Sequence, residues 1–487
     1  MTPVTCHLSK IQVFMRKEKS MNRVRDLKEW GLEANQKGQL VVAGVNAVDL
    51  ASAFGTPLHV VDEQRLDETA RHALFAMKSS YRGNVSAHYP FKCNSVPGIV
   101  RMLQRTGFNA EVMTPFELEL ALRLGYRDEE IIVNGPCKTD DFLRACIEAH
   151  VRLIIVDSIE EVRALQRIVE EKREQVDILL RVCPDYRPRG LNRGSATASR
   201  EGCAFGLDLA GGEVRRAFDL LDRDSRVRFR GFHFHIGTGI RDVRDYKNAL
   251  HCLLVLVHEA RRAGQKVRIV DVGGGFAART TREFTSLEML RYQAFGKLPK
   301  YQGDGPTARF SEFTKVIAEA VTKSFPTGDL PDLIYEPGRG ITSSCQFLLL
   351  RVHRVKRRPG VGKWLVADGG LSTVTMPTYY EYHEVFLADE VNRPRNEKVS
   401  IIGPACFAGD IVYRNKWMPA VQSGEVLAIM DTGAYFTALE SSFDFYKPAI
   451  VSVRDGQPQL LRSRELFEGS VGRDTLFQEH FFREEAA

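Results

Sequence analysis

From Leu58 to about residue 340 the chain repeats one pattern: a short apolar run, a polar residue or glycine at its end, then a stretch whose apolar positions fall three and four apart. Apolar runs of about four to eight residues bounded by turn formers predict buried strands, and the longer spacing predicts amphipathic helices. "LHVV" (Leu58 to Val61) leads in and is followed by a helical segment from Asp62. The later runs are "VSAHYPFK", "FNAEVMT", "IIVNG", "RLIIVD", "DILLRV", "FRGFHFH", "RIVDVGGG" and "DLIYEPGR", separated by helical stretches such as "VPGIVRMLQRTG" and "SIEEVRALQRIVEEKR". Eight strands, each with a crossover helix, predict an α/β fold: a (β/α)8 TIM barrel over residues 62–340, with an open doubly wound sheet as the alternative.

After residue 341 the texture changes to strands with hairpin signals, among them "FLLLRVHRV", "KVSIIGP" and "AIVSVRDGQPQLL", whose Asp455-Gly456 predicts a tight turn. Residues 341–487, joined by 41–61, are therefore expected to form a β-rich domain. The interval from Ala277 to Ser311 is long for a βα connection and is expected to cover part of the barrel's functional face. The first forty residues carry eight Lys/Arg against four Asp/Glu and little apolar periodicity; 1–40 reads as an N-terminal extension, with Met21 as a later start.

Composition narrows the class. An apolar fraction of 44% and a charged fraction of 27% over 487 residues describe a globular chain with room for more than one domain. A net charge of +6 with no basic stripe interleaved with aromatics argues against nucleic acid. No apolar run reaches the roughly 18 residues of a membrane span, so no membrane partner is expected, and a cytoplasmic location follows. Nine cysteines without a CxxC pair suggest reduced thiols and no metal site.

A barrel should gather its chemistry at the C-terminal ends of its strands. The strand candidates end in Lys92, Glu111, Asn134, Asp157, Arg181, His235, Gly273 to Gly275, and Glu336 with Arg339. A lysine ending one strand is ordinarily a strand reaching water, and Asp157-Ser158 reads as a helix N-cap; the set as a whole reads as a site. "DVGGGF" lets backbone N–H groups approach an anion, and Arg339 in the next strand end, "EPGRG", can grip a phosphate. A phosphate site, a strand-end lysine and a carboxylate on one face point to pyridoxal 5'-phosphate: Lys92 as the Schiff-base amine, Glu336 on the pyridine nitrogen, and His235 against the ring.

With these residues the chain resembles the fold-type III pyridoxal-phosphate decarboxylases, the group of diaminopimelate, ornithine and bacterial-type arginine decarboxylases, whose barrel is similar to that of alanine racemase. The resemblance runs from about Asp49 to Glu465 and rests on "FKCN", "NGPCK", "HFHIGTG", "DVGGGF", "EPGRG", "GPACFAGD" and "GAYF". It implies Lys92, His235, Glu336 and Cys406 as catalytic residues. For the cofactor it implies Glu111, Gly237, Thr238, Gly273, Gly274, Gly275, Gly338, Arg339 and Tyr435. Cys406 would enter from a partner subunit and protonate the carbanion left by carbon dioxide, with Tyr435 on that same side, in a head-to-tail homodimer that shares its sites. Glu336, where racemases of this fold carry arginine, favours decarboxylation.

The departures lie where substrates are told apart. Phe407 follows Cys406 where the resemblance implies Glu or Asp, and Met376 in "MPTYYEYH" replaces an arginine for a distal carboxylate. Tyr380 and Glu381 stand near where ornithine enzymes hold the substrate amine. The expected substrate is thus an amino acid or conjugate that is neither diaminopimelate nor ornithine. A racemase or epimerase with the same cofactor, and a non-catalytic regulatory paralogue, are the alternatives.

Overall fold

The computed structural model of the chain describes residues 26–191, 198–221, 226–299, 307–326, 328–375 and 377–475. Its larger body is a closed barrel of eight parallel strands: β1 (Val85–Pro90), β2 (Asn109–Val112), β3 (Ile131–Val133), β4 (Leu153–Val156), β5 (Val176–Cys183), β6 (Val227–His233), β7 (Ile269–Asp271) and β8 (Asp332–Tyr335). Pairing of Leu333 with Val85 and Tyr335 with Ala87 brings β8 back onto β1 and closes the ring. The open-sheet alternative is thereby excluded.

Alternation along each strand divides the core in two. Ile131 and Val133 of β3, with Ile154 and Val156 of β4, pack outward into the cluster shared with the surrounding helices. Ile132, Leu153, Ile155, Leu179, Ile269 and Ile334 form a separate cluster inside the barrel. The helices start on side-chain caps: Thr114 Oγ1 accepts from Glu117 N at 3.1 Å, Thr139 Oγ1 from Phe142 N at 3.3 Å, and Ser158 Oγ from Glu161 N at 3.2 Å. The cap expected at Asp157-Ser158 is made by Ser158, leaving Asp157 for another role.

The second body is a β sheet whose strands run in the order Ile411–Met418, Glu397–Ile402, Gly362–Ala367, Gln346–Arg358, Leu58–Asp62, Ala449–Arg454, Gln457–Arg462. The lead-in strand sits here, between Gln346–Arg358 and Ala449–Arg454, and not in the barrel. Asp455 and Gly456 both take positive φ, 49° and 74°, in the two-residue turn read from the sequence.

Residues 26–40 depart from the loose extension the sequence suggested. Trp30 is buried, its ring edge-on to Phe386 at 5.6 Å and its indole N–H donating to Asp431 Oδ2 at 3.0 Å. One aromatic anchor leaves no periodic signal, which is why charge dominated the sequence pattern there. The interval after β7 carries a two-residue strand, Arg282–Glu283, paired antiparallel with Glu381–Tyr382, and a helix, Ser286–Phe295. Among the described residues no helix is long and apolar enough to cross a membrane.

Candidate active site

The same alternation that fills the barrel builds the site. Two residues beyond each inward apolar position, the strand ends in a polar group that also points inward. Ile132 leads to Asn134, Ile155 to Asp157, Leu179 to Arg181, Ile269 to Asp271 and Ile334 to Glu336; all five polar residues are buried. On β1, Ala87 and Tyr89 face the helices, so parity carries His88 inward and Lys92 after it.

Lys92 lies in a short 3-10 turn, Phe91–Cys93. Its Nζ donates to both oxygens of Glu111 at 2.7 Å, and its side chain remains 32% exposed. Burial opposes the charge of this amine, but the carboxylates of Glu111 and Glu336 outweigh it and hold the lysine above its usual range. Glu336 accepts from Asn134 Nδ2 at 3.4 Å, and its Oε1 is 3.5 Å from His233 Nε2. Asp271 accepts from Gly273 N at 2.9 Å. Burial raises the affinity of Asp271 and Glu336 for a proton, reinforced at Asp271 by the Glu336 carboxylate and opposed at Glu336 by Lys92 and Arg181, while burial drives His233 well below its ordinary value. One side-chain N or O atom from each of His233, Asp271 and Glu336 lies within 4.8 Å of the other two, so the three form a compact buried cluster.

The glycine turn after β7 packs backbone on backbone. A Cβ on Gly274 would sit 2.1 Å from Glu336 O, and one on Gly275 2.0 Å from Gly237 O, so the ends of β6, β7 and β8 are drawn together as no other residue allows. His235 Nδ1 accepts from Gly274 N at 3.2 Å, and burial keeps this imidazole neutral. Gly338 packs against Pro90 and Cys93, holding the β8 end against the Lys92 turn. Arg339 donates through Nε to Thr238 Oγ1 at 3.2 Å and lies over the Tyr435 ring at 5.0 Å. An amine, a hydroxyl, a guanidinium and a phenol around a side-chain-free turn are a donor set that fits a phosphorylated aldehyde such as pyridoxal phosphate.

Tyr435 stands with Lys92 in its own chain: its N–H donates to Cys93 O at 2.8 Å. Cys406 is exposed on the loop after strand Glu397–Ile402, and Phe407 beside it is 51% exposed, its ring 6.0 Å from that of Phe443. Tyr380 is half-buried next to Glu381, and burial with that carboxylate pushes its phenol up to about 12. Met376 lies outside the described residues. Glu381, expected near a substrate amine, is 1% exposed and engaged by Arg339: Nη1 is 2.8 Å from each of its oxygens.

Asn134, His233 and Asp271 carry this network without having been assigned roles from sequence. All three lie within the motifs quoted above, and the parity of their strands is the signal that could have marked them.

The family model for the pyridoxal binding domain of pyridoxal-dependent decarboxylases matches residues 67–343. The chain is 31% identical over 447 residues to the diaminopimelate decarboxylase of Actinosynnema pretiosum, covering 90% of this chain and 93% of that protein. To the Bacillus subtilis diaminopimelate decarboxylase it is 28% identical over 450 residues, covering 91% and 97%. A crystal structure of the diaminopimelate decarboxylase of M. jannaschii superposes with a TM-score of 0.81 at 26% identity, over 92% of this chain and 98% of that one.

Proposed function

Because the chain belongs to the pyridoxal-dependent decarboxylases, it is a pyridoxal-phosphate amino-acid decarboxylase, and within that family we propose that it removes the α-carboxylate of an amino acid or conjugate other than diaminopimelate or ornithine. When bound, the cofactor supplies a protonated ring that takes up the electron pair left at Cα as carbon dioxide departs.

The chain's own groups account for the rest. Lys92 presents the amine that would meet the cofactor's aldehyde, and Glu111, hydrogen-bonded to it, places that amine and takes the proton it must lose to become a nucleophile. Glu336 presents its carboxylate to the ring nitrogen, steadied by Asn134. His235, kept neutral, flanks the ring. The turn at Gly273 to Gly275, with Gly237, Thr238, Gly338, Arg339 and Tyr435, receives the phosphate. Cys406 of a second copy gives its thiol proton to Cα and recovers one from solvent. Its exposure in a single chain, with Phe407 and Phe443 exposed beside it, supports a homodimer that completes each site from two subunits. Phe407 in place of an acidic neighbour supports the exclusion of a distal ammonium at that wall. A cytoplasmic location belongs to the same proposal and fits eight free thiols among the described residues.

The observation that carries the reading is Lys92 Nζ held at 2.7 Å by Glu111 at the barrel mouth, under the charge of Glu336. The test is carbon dioxide release by cofactor-loaded protein across diamino acids and neutral, acidic or conjugated amino acids, with Lys92→Ala as the blank. Release confined to the second group supports the proposal. Turnover of diaminopimelate or ornithine at ordinary enzyme rates overturns the substrate assignment, and solvent deuterium entering Cα with the carboxylate retained overturns decarboxylation in favour of racemisation.

A further inference from the structure

Beneath Glu336, on the side away from the barrel mouth, lies a carboxyl that none of the roles above uses. Asp271 ends β7 and is fully buried. Its register partners are His233 on β6 and Ile334 on β8, whereas Glu336 N donates to Gly273 O, two residues further on. Asp271 therefore sits one step deeper in the barrel than Glu336. Its Oδ1 accepts from Gly273 N at 2.9 Å, while its Oδ2 is buried and receives no hydrogen bond among the described residues. An ionised carboxylate in that state would lose its hydration with nothing in return. The group within reach is a second carboxyl: Asp271 and Glu336 are in hydrogen-bond contact, which requires a proton on one of them.

Charge balance decides which of them holds it. Glu111, Asp157, Asp271 and Glu336 are buried together at the strand ends, and the cations among them are Lys92 and Arg181. Lys92 is taken by Glu111 at 2.7 Å, and Arg181 is 3.5 Å from Asp157. The imidazoles add no charge, since burial keeps His233 and His235 neutral. A protonated ring nitrogen beside Glu336 supplies one further positive charge, which Glu336 balances, and Asp271 is then the carboxyl left without a cation. Two carboxyls this close do not both ionise, and burial with the Glu336 carboxylate raises the affinity of Asp271 for the proton.

We propose that Asp271 is a neutral carboxylic acid whose Oδ2–H donates to Glu336, a positioning residue that makes Glu336 the weaker base towards the cofactor's ring nitrogen. The proposal deepens the pyridoxal-phosphate reading above and rests on it. Glu336 and the ring nitrogen compete for one proton, and burial by itself pushes Glu336 towards holding it. Asn134 Nδ2 and His233 Nε2 stand 3.4 and 3.5 Å from Glu336 Oε1, too far to be strong donors. An acid O–H on a carboxylate is a charge-assisted bond, and it lowers the proton affinity of its acceptor. The proton then stays on the nitrogen, the state in which the ring best takes up an electron pair. No proton passes between the two carboxyls; Asp271 keeps its own throughout.

The test uses full-length, cofactor-loaded protein with Asp271→Asn and Asp271→Ala. The infrared difference spectrum of wild type minus Asp271→Asn is expected to show a carboxylic-acid carbonyl band that shifts in deuterium oxide; absence of that band overturns the proposal. With cofactor isotopically labelled at the ring nitrogen, the magnetic resonance of that atom should report protonation in wild type and in Asp271→Asn, whose amide N–H takes over the bond to Glu336. In Asp271→Ala it should move towards the unprotonated position, which a merely structural role would not bring about. A ring nitrogen that stays protonated in a folded Asp271→Ala overturns the proposal. Carbon dioxide release should fall about tenfold to a hundredfold in kcat in Asp271→Ala, the worth of one hydrogen bond to a charged group, and be largely restored in Asp271→Asn. Equal losses in the two variants would mean that an ionised Asp271 is needed, and overturn it as well. If Asp271→Ala does not fold, the infrared band and the asparagine variant decide. Failure of every substrate to release carbon dioxide from wild type would sink the decarboxylase reading, while the band and the ring-nitrogen resonance still judge Asp271.

Discussion

At the scale of residues, the site depends on charges that are kept because each has a partner. Lys92 stays protonated against its burial through Glu111 and Glu336, so Lys92→Ala is expected to abolish carbon dioxide release and to leave Glu111 a buried carboxylate without its cation. Loss of the cofactor's absorbance after dialysis checks that outcome independently of activity. Gly274→Ala should be nearly as damaging for a different reason. Its Cβ would lie 2.1 Å from Glu336 O, and such overpacking costs about 1–3 kcal/mol even after the backbone gives way. Because the displaced atom belongs to the residue that carries Glu336, weakening should fall on cofactor affinity, by about tenfold or more, with the melting curve much less affected; a spectroscopic cofactor titration reads this directly.

At the scale of elements, the short ribbon Arg282–Glu283 with Glu381–Tyr382 ties the loop after β7 to the β domain, and a buried ion group anchors its end. Glu384 is 2.8 Å from Arg395 Nη1 and 3.6 Å from Lys416 Nζ. Burial works against its charge, but Arg395 and Lys416 prevail and bring the carboxyl down to about 2. The folded pKa lies below the unfolded value near 4.3, so the stabilisation is fully present above that value and is lost as pH falls from about 4 towards 2. Denaturant melts of wild type should therefore weaken across that window more steeply than those of Glu384→Gln. At neutral pH the variant should be less stable by about 3–5 kcal/mol, since it leaves two buried cations short of a carboxylate. Much at this scale was legible in the sequence: the polar residue ending each apolar run marked Lys92 and its counterparts as one face of a barrel, and Asp455-Gly456 announced its hairpin. The ribbon was not, because two-residue strands have no period and Glu283 and Glu381 are brought together only by the barrel and β domain meeting.

At the scale of the whole molecule, the proposed catalytic set is divided between a buried barrel mouth and an exposed loop. Lys92 and Glu336 are in the first; Cys406 and Phe407 are in the second, beside Phe443, which is 48% exposed. If each site takes its thiol from a second copy, Lys92→Ala and Cys406→Ala are each inactive alone, yet mixed subunits recover about a quarter of wild-type activity, because half of the randomly formed dimers contain one intact site. No recovery on mixing would place Cys406 outside the reaction or within its own chain's site. Phe443→Asp should shift sedimentation towards monomer and lower activity at dilute protein, with activity returning as concentration rises.

What the sequence by itself determined is the alternating pattern that closes eight strands into a barrel and sends one polar residue from each strand to a common face, together with the motifs that make this face fit a phosphorylated aldehyde. These are local properties, since a period of two and a run of glycines act on the backbone wherever the chain goes. Tertiary structure alone decided the rest. It seats Trp30 on Asp431, 401 positions away, sets Tyr435 beside Cys93, and leaves Cys406 on the outside. It also joins Arg339 to Glu381, 42 positions apart. Each of these depends on how segments distant in the chain are brought together, and buried charges choose their partners by proximity and shared desolvation, which no spacing along the chain encodes.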